Sequence, residues 1–245
     1  MLEVKNLTKY FGGVCAVSDC SFEIKKGKIT ALIGPNGSGK STVFNLISGS
    51  IKADSGKIFF NNQDITNLPM EKISNLGISR MFQQARLFKN LSVSDNLLLA
   101  LDNEDTKFWK NILGINKITE EKKERVRKIL KEFGILELEN KPASDLSFGQ
   151  KRLVELARTM FNPHQLLILD EPVAGVNPKI RQNIAKLLLK LKKQGETILL
   201  IEHDMVFTLE LADGIIVLDA GKVIASGTPK KIKNNKLVLE AYLGS

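Results

Sequence analysis

The segment Gly34-Pro-Asn-Gly-Ser-Gly-Lys-Ser41 has the residue types and spacing of a phosphate cradle. Glycines allow a backbone to wrap closely around an anion with its N–H groups turned inward, because some of these positions need positive φ. Gly34, Pro35, Asn36, Gly37, Ser38 and Gly39 supply the loop, Lys40 is placed to reach the β- and γ-phosphates, and the Ser41 hydroxyl to bind Mg²⁺. Thr42 adds to the cradle. A second chemical element is Leu166-Leu-Ile-Leu-Asp-Glu171, in which four apolar residues deliver two acids to a strand end. There Asp170 would hold Mg²⁺ through water, and Glu171 would orient the attacking water or accept its proton. The third is Leu146-Ser-Phe-Gly-Gln150, a Ser and a Gly just before a helical pattern. Free N–H groups and the macrodipole favour an anion at such a helix start, although an ordinary N-cap has the same residues.

These residues need an α/β scaffold. Leu2-Glu-Val-Lys and Ser21-Phe-Glu-Ile-Lys, separated by the Gly12-Gly13 turn, predict a small antiparallel sheet. Lys28–Ile33 reads as a buried strand that breaks into the glycine loop and continues as a helix from Lys40. Ile118–Phe133 reads as a helix with Thr119 as N-cap, Glu120 and Glu121 in the first turn, and an apolar stripe of Val126, Ile129, Leu130 and Phe133. From Lys151 to Phe161, Leu153, Leu156, Ala157 and Met160 share one helical face. A strand at Leu166–Leu169, a helix opening at Pro178 and ending at Gly195, and a strand at Thr197–Ile201 form βαβ units of a mostly parallel sheet. Ile215–Ala225 closes as a hairpin across Ala220-Gly221.

With its Ser147–Gln150 segment shortly before the acidic strand, the chain resembles the ABC ATPase family, whose signature motif is usually written LSGGQ. Phe148 departs from the commonest form, an aromatic being a variant of one branch. The resemblance covers essentially all 245 residues. It implies a P-loop NTPase core with an N-terminal antiparallel β subdomain and an inserted helical subdomain. Residues 1–89 and 142–245 would form the core and about 90–141 the helical part of a single ABC ATPase domain.

The same resemblance implies further roles. Gln83 stands at the Q-loop position, touching the Mg²⁺ and water site, with Gln84 its neighbouring competitor; His203 matches the switch histidine, which would bond the γ-phosphate and the water. Phe11 fits the aromatic that stacks on adenine, Tyr10 being the alternative. Asn177 occupies a D-loop position where many members carry Asp. Two such domains would dimerise head to tail around two ATP, with Ser147, Gly149 and Gln150 of one completing the P-loop site of the other.

Tyr10-Phe-Gly-Gly-Val, Gln84-Ala-Arg-Leu-Phe88, Glu171-Pro-Val-Ala-Gly-Val-Asn-Pro178 and the tail with Gly227-Thr-Pro and Ala241-Tyr-Leu-Gly look like the ATP-binding subunit of branched-chain amino-acid importers. The competing branch is the ATPase of lipopolysaccharide or phospholipid transport. Permease subunits, an extracytoplasmic solute-binding protein and the cytoplasmic face of the cell membrane are the implied partners and location. Arg86, Leu87, Phe88 and Leu91 are the candidate permease contacts.

Composition is consistent with this. Hydrophobic residues make up 43% and charged residues 26%, which excludes bulk disorder. Apolar runs stop far short of the roughly 20 residues a bilayer demands. The N-terminus lacks a secretory pattern, and the two cysteines, Cys15 and Cys20, have no metal-ligand spacing, so a cytoplasmic protein with reduced thiols is expected. Thirty-six basic against 27 acidic residues give +9. The basic residues cluster at Lys107–Lys131, Lys179–Lys193 and Lys230–Lys236, among acidic i,i+4 partners such as Glu121 with Arg125 and Glu124 with Lys128. Nucleic acid is not expected; the charge suits an anionic membrane surface. A DNA-repair or translation ATPase would need a coiled-coil insertion or a second cassette, and a non-hydrolysing module would lack Glu171 or His203.

Overall fold

A computed structural model describes residues 1–81, 87–102, 119–161 and 163–243. The apolar runs become strands, and their burial follows their pattern. Ile29–Ile33 (β3), Leu166–Asp170 (β7) and Ile198–Ile201 (β8) are buried at every position, as continuous apolar sequence requires of strands covered on both faces. They pair in parallel, β8 lying between β3 and β7. Gly214–Asp219 (β9) is parallel to the other side of β3, and Lys222–Gly227 (β10) returns antiparallel to β9. With Ile78–Met81 (β6) the sheet order is β10-β9-β3-β8-β7-β6. The β9–β10 turn is the expected one: Ala220 and Gly221 both take positive φ (44° and 79°), the twist that suits a two-residue hairpin.

Leu2–Phe11 (β1), Val14–Ile24 (β2), Ser55–Phe60 (β4) and Gln63–Asp64 (β5) form the second, antiparallel sheet in the order β2-β1-β4-β5. The helix Lys40–Ile47 buries Val43, Phe44, Leu46 and Ile47 in one cluster with Leu2, Val4, Ile24 and Ile58 of that sheet and Leu32, Ile168 and Leu199 of the parallel one. Eight residues are too few for an independent helix, so this burial from both sides holds it.

The chain divides into two compact units: Met1–Arg80, His164–Glu171 and Leu188–Ser245, which contain both sheets, and Met81–Pro163 with Pro172–Leu187, which is mainly helical. In the second, Thr119 caps the helix Glu120–Glu132 by accepting from the Lys122 amide, and Val126 and Leu130, one turn apart, are fully buried. Ion pairs of this helix include Lys123 with Glu120 (2.7 Å) and Arg127 with Glu139 (2.9 Å). The Asn96 side chain, fully buried on the helix Val93–Asp102, donates to the Phe88 and Ser92 carbonyls and accepts from the Phe88 amide.

The helix expected from Lys151 begins three residues earlier, as Phe148–Thr159. Its burial is not confined to one apolar face: Arg152 and Glu155 are buried beside Leu153, Val154 and Leu156, and Met160 is only half-buried. An Arg152–Glu155 pair (3.4 Å) makes the interior polar positions tolerable, which hydrophobic periodicity does not reveal.

Candidate nucleotide site

The parallel register brings three strand ends to one edge. Asp170 is the partner of Ile201, the Glu171 amide continues the ladder by donating to the Ile201 carbonyl (2.9 Å), and the Glu202 amide donates to the Leu32 carbonyl (3.3 Å). The glycine loop leaves the same end of β3. This is the carboxyl edge at which α/β sheets place ligands.

The loop is braced by backbone. The Ser38 carbonyl accepts from the Gly221 amide (3.0 Å), whose own carbonyl accepts from Ser18. At Gly39, φ is 99° and a Cβ would stand 2.5 Å from the Ala16 carbonyl oxygen, so only glycine fits. Gly39 is also the N-cap of the helix Lys40–Ile47 and offers no capping side chain, leaving the first helical N–H groups for an external acceptor. Ser38 Oγ is buried without a hydrogen-bond partner, although each buried hydroxyl normally has one. A phosphate oxygen would supply what both lack.

Lys40 is 7% exposed and its Nζ donates to the carbonyls of Gly34 and Pro35, both at 2.8 Å. Burial lowers its pKa, while the charges of Glu171 and Asp170 act in the opposite direction. Asp170 is buried at the end of β7 and Ser41 is exposed one residue beyond Lys40. A carboxylate and a hydroxyl are hard oxygen donors, which fit Mg²⁺ held mainly by phosphates and water.

Glu171 adopts φ 47°, a left-handed conformation uncommon for a residue with a side chain. Its Oε1 lies 3.3 Å from His203 Nδ1. The fully buried Glu202 accepts from the His203 amide (3.3 Å) and has Oε2 4.0 Å from His203 Nδ1. A neutral His203 donating from Nδ1 presents an acceptor at Nε2; only the imidazolium donates from both nitrogens. Phe11, 48% exposed, ends β1 with Lys9 Nζ 5.5 Å from its ring centre, and Tyr10 is equally exposed beside it. Gln83, with Gln84 and Arg86, lies outside the described residues.

Ser147, Gly149 and Gln150 are in the helical unit. Ser147 Oγ accepts from the Gln150 amide (3.3 Å) and Gln150 Oε1 accepts from the Ser147 amide (2.9 Å), a reciprocal capping box. The N-cap reading of Ser147 therefore holds for the single chain, whatever the segment contacts in an assembly.

Three residues around the site and the helix that it opens were not singled out from sequence. Glu202 follows an apolar strand and has no motif of its own. The Arg80 guanidinium stacks 4.0 Å from the Phe44 ring centre and donates to Ser48 Oγ (2.8 Å) and Asn45 Oδ1 (3.0 Å), tying β6 to the end of the P-loop helix. On the C-terminal helix Lys236–Leu243, burial pushes the Tyr242 hydroxyl up to about 12, against a lowering influence from the Gly34 backbone. Only the length of the intervening sequence hides that proximity.

The profile of the family described as ABC transporter matches residues 17–174. The chain belongs to the ABC transporter family. It is an ATP-binding cassette of the ABC ATPase kind, with the α/β P-loop fold that its sequence predicts. A profile described as branched-chain amino acid ATP-binding cassette transporter matches residues 222–245. The chain is 40% identical over 248 residues to the probable branched-chain amino acid transport ATP-binding protein LivG of Archaeoglobus fulgidus, covering 100% of this chain and 96% of that one. Among solved structures, the ADP conformation of an ATP-binding cassette of an ABC transporter superimposes with a TM-score of 0.88 at 36% identity, covering 100% of this cassette and 99% of that chain. A dimeric post-hydrolysis cassette bound to ADP and Pi gives 0.80 at 27% identity, covering 94% and 99% respectively.

Proposed function

We propose that this cassette is the ATP-hydrolysing subunit of a branched-chain amino acid importer. The observation that carries hydrolysis is the 3.3 Å approach of Glu171 and His203 at the strand edge that also bears the glycine loop. The solute class is supported by the A. fulgidus relative and by the match of the C-terminal residues to the branched-chain profile.

The P-loop amides and Lys40 bind and neutralise the phosphates, with Ser38 Oγ offering its unused hydrogen-bonding capacity. Phe11 stacks on the base. Ser41 and Asp170, with Gln83 by the family resemblance, would hold Mg²⁺, which would supply neutralisation of phosphate charge. Glu171 takes the attacking water's proton or fixes its orientation, and His203 holds the carboxylate in place. Catalysis is mainly positioning and charge stabilisation.

Ser147, Gly149 and Gln150 complete the site of a second cassette in a head-to-tail dimer; the dimeric ADP- and Pi-bound relative supports this assembly. Permease subunits, an extracytoplasmic binding protein and a place at the cytoplasmic membrane face complete the reading. Phe88, 53% exposed with the Arg158 guanidinium 5.9 Å from its ring centre, is the candidate permease contact. Reconstitution with the permease subunits in vesicles tests the whole: leucine-stimulated ATP hydrolysis supports it, and stimulation by a lipid substrate instead overturns the solute assignment.

A further inference from the structure

Phe148 stands where a glycine is commoner in the signature segment, and more than half of its surface is exposed. A ring half in water gains free energy only from the face it packs. Its face is used within the helical unit. A Cβ built on Gly175 would lie 3.2 Å from Phe148 Cε1 and 3.8 Å from Cδ1 and Cζ, so the ring lies over this glycine. Gly175 has φ 69°, which gives it a second, independent reason to lack a side chain. The Arg152 guanidinium, itself buried, lies over the ring at 5.7 Å from its centre. The next signature residue makes a parallel contact: a Cβ on Gly149 would meet Ile180 Cγ1 at 3.1 Å. Ile180 in turn donates its amide to Asn177 Oδ1 (2.9 Å).

Gly175 belongs to the loop that leaves Glu171 directly in the chain and is closed by a Val176 amide to Val173 carbonyl bond (3.3 Å). We propose that Phe148 is a positioning residue whose ring, seated on Gly175, sets the conformation of the Pro172–Asn177 loop. Its role is through the loop, so that motion of the signature helix is transmitted to the residues immediately following Glu171. Aromatic at 148 and glycine at 175 are then a matched pair.

The inference rests on the hydrolytic reading above, and a double-mutant cycle on the full chain tests it. Phe148→Ala is expected to lower ATP turnover about tenfold or more with the ATP KM within about twofold, since a displaced catalytic loop costs rate rather than affinity. Gly175→Ala brings a Cβ to 3.2 Å from Phe148 Cε1, so the ring must shift by a few tenths of an ångström, and adds the strain of a side chain at φ 69°; turnover is expected to fall comparably. The double variant, in which no ring remains to be displaced, is expected to be no slower than the slower single variant. Multiplying losses, or a Phe148→Ala variant with unchanged turnover, overturns the proposal. Hydrogen exchange gives a readout independent of hydrolysis: Phe148→Ala accelerates exchange of the Val176 amide and leaves the β7 amides unchanged. Unchanged Val176 exchange overturns the positioning role. If the unaltered chain fails to hydrolyse ATP, the functional reading fails while the exchange experiment still decides the contact.

Discussion

His203 Nδ1 and Glu171 Oε1 stand 3.3 Å apart at the ends of neighbouring parallel strands. The pairing follows from register: Asp170 lies opposite Ile201, so the residue after the first and the second residue after the other reach past the sheet together. The left-handed φ of Glu171 is a local strain held by its ladder bond to Ile201.

Glu171→Gln keeps the shape and the amide bond but removes the negative charge. ATP binding is expected to persist while phosphate release falls by roughly 10²–10⁴-fold, the range for loss of a general base. Parallel measurement of nucleotide binding and phosphate release checks this. Release near the unaltered rate would remove Glu171 from its role.

Ser147→Ala breaks the capping box and is expected to cost about 1 kcal/mol of stability. ATP-dependent dimerisation should weaken more than ATP binding by the single chain. Sedimentation with ATP, set against a binding titration under monomeric conditions, separates the two; equal losses contradict a site shared between chains.

Arg80→Lys retains charge but cannot stack flat on Phe44 while donating to both Ser48 and Asn45. A loss of about 2–3 kcal/mol in denaturant unfolding is expected, from charged hydrogen bonds and the ring contact together. A midpoint shift with an unchanged slope would show that the loss is in stability.

Burial pushes the Cys20 thiol from 9.0 up to about 12. Between those values the unfolded chain binds fewer protons than the folded one, so the Cys20 contribution to stability falls as pH rises through this window and is intact below 9. Alkylation of the native protein at pH 8 should therefore modify the half-buried Cys15 and spare Cys20. Mass mapping after brief treatment checks it.

Much of this was legible in sequence, for identifiable reasons. Uninterrupted apolar runs marked β3, β7 and β8, glycine spacing marked the phosphate loop, and Thr119 marked a helix start. What escaped depends on tertiary pairing. Arg80 is a surface residue by type, and only Phe44, Ser48 and Asn45 explain its place. Arg152 and Glu155 broke the expected one-sided helix because a buried ion pair satisfies them. Glu202 has no motif, and the seat of Phe148 on Gly175 joins residues 27 positions apart.

The two anion-directed helix starts differ in one respect. The helix after Gly39 opens with donors that no side chain satisfies, whereas the helix after Ser147 has its Ser147 and Gln150 amides satisfied by its own serine and glutamine. An isolated cassette therefore has a strong incentive to recruit phosphate at the first and little at the second. Ser147 Oγ accepts from Gln150, so its own hydroxyl hydrogen stays available to donate. In the proposed head-to-tail dimer, a phosphate could bind there without undoing the helix, so that contact would form and dissolve cheaply.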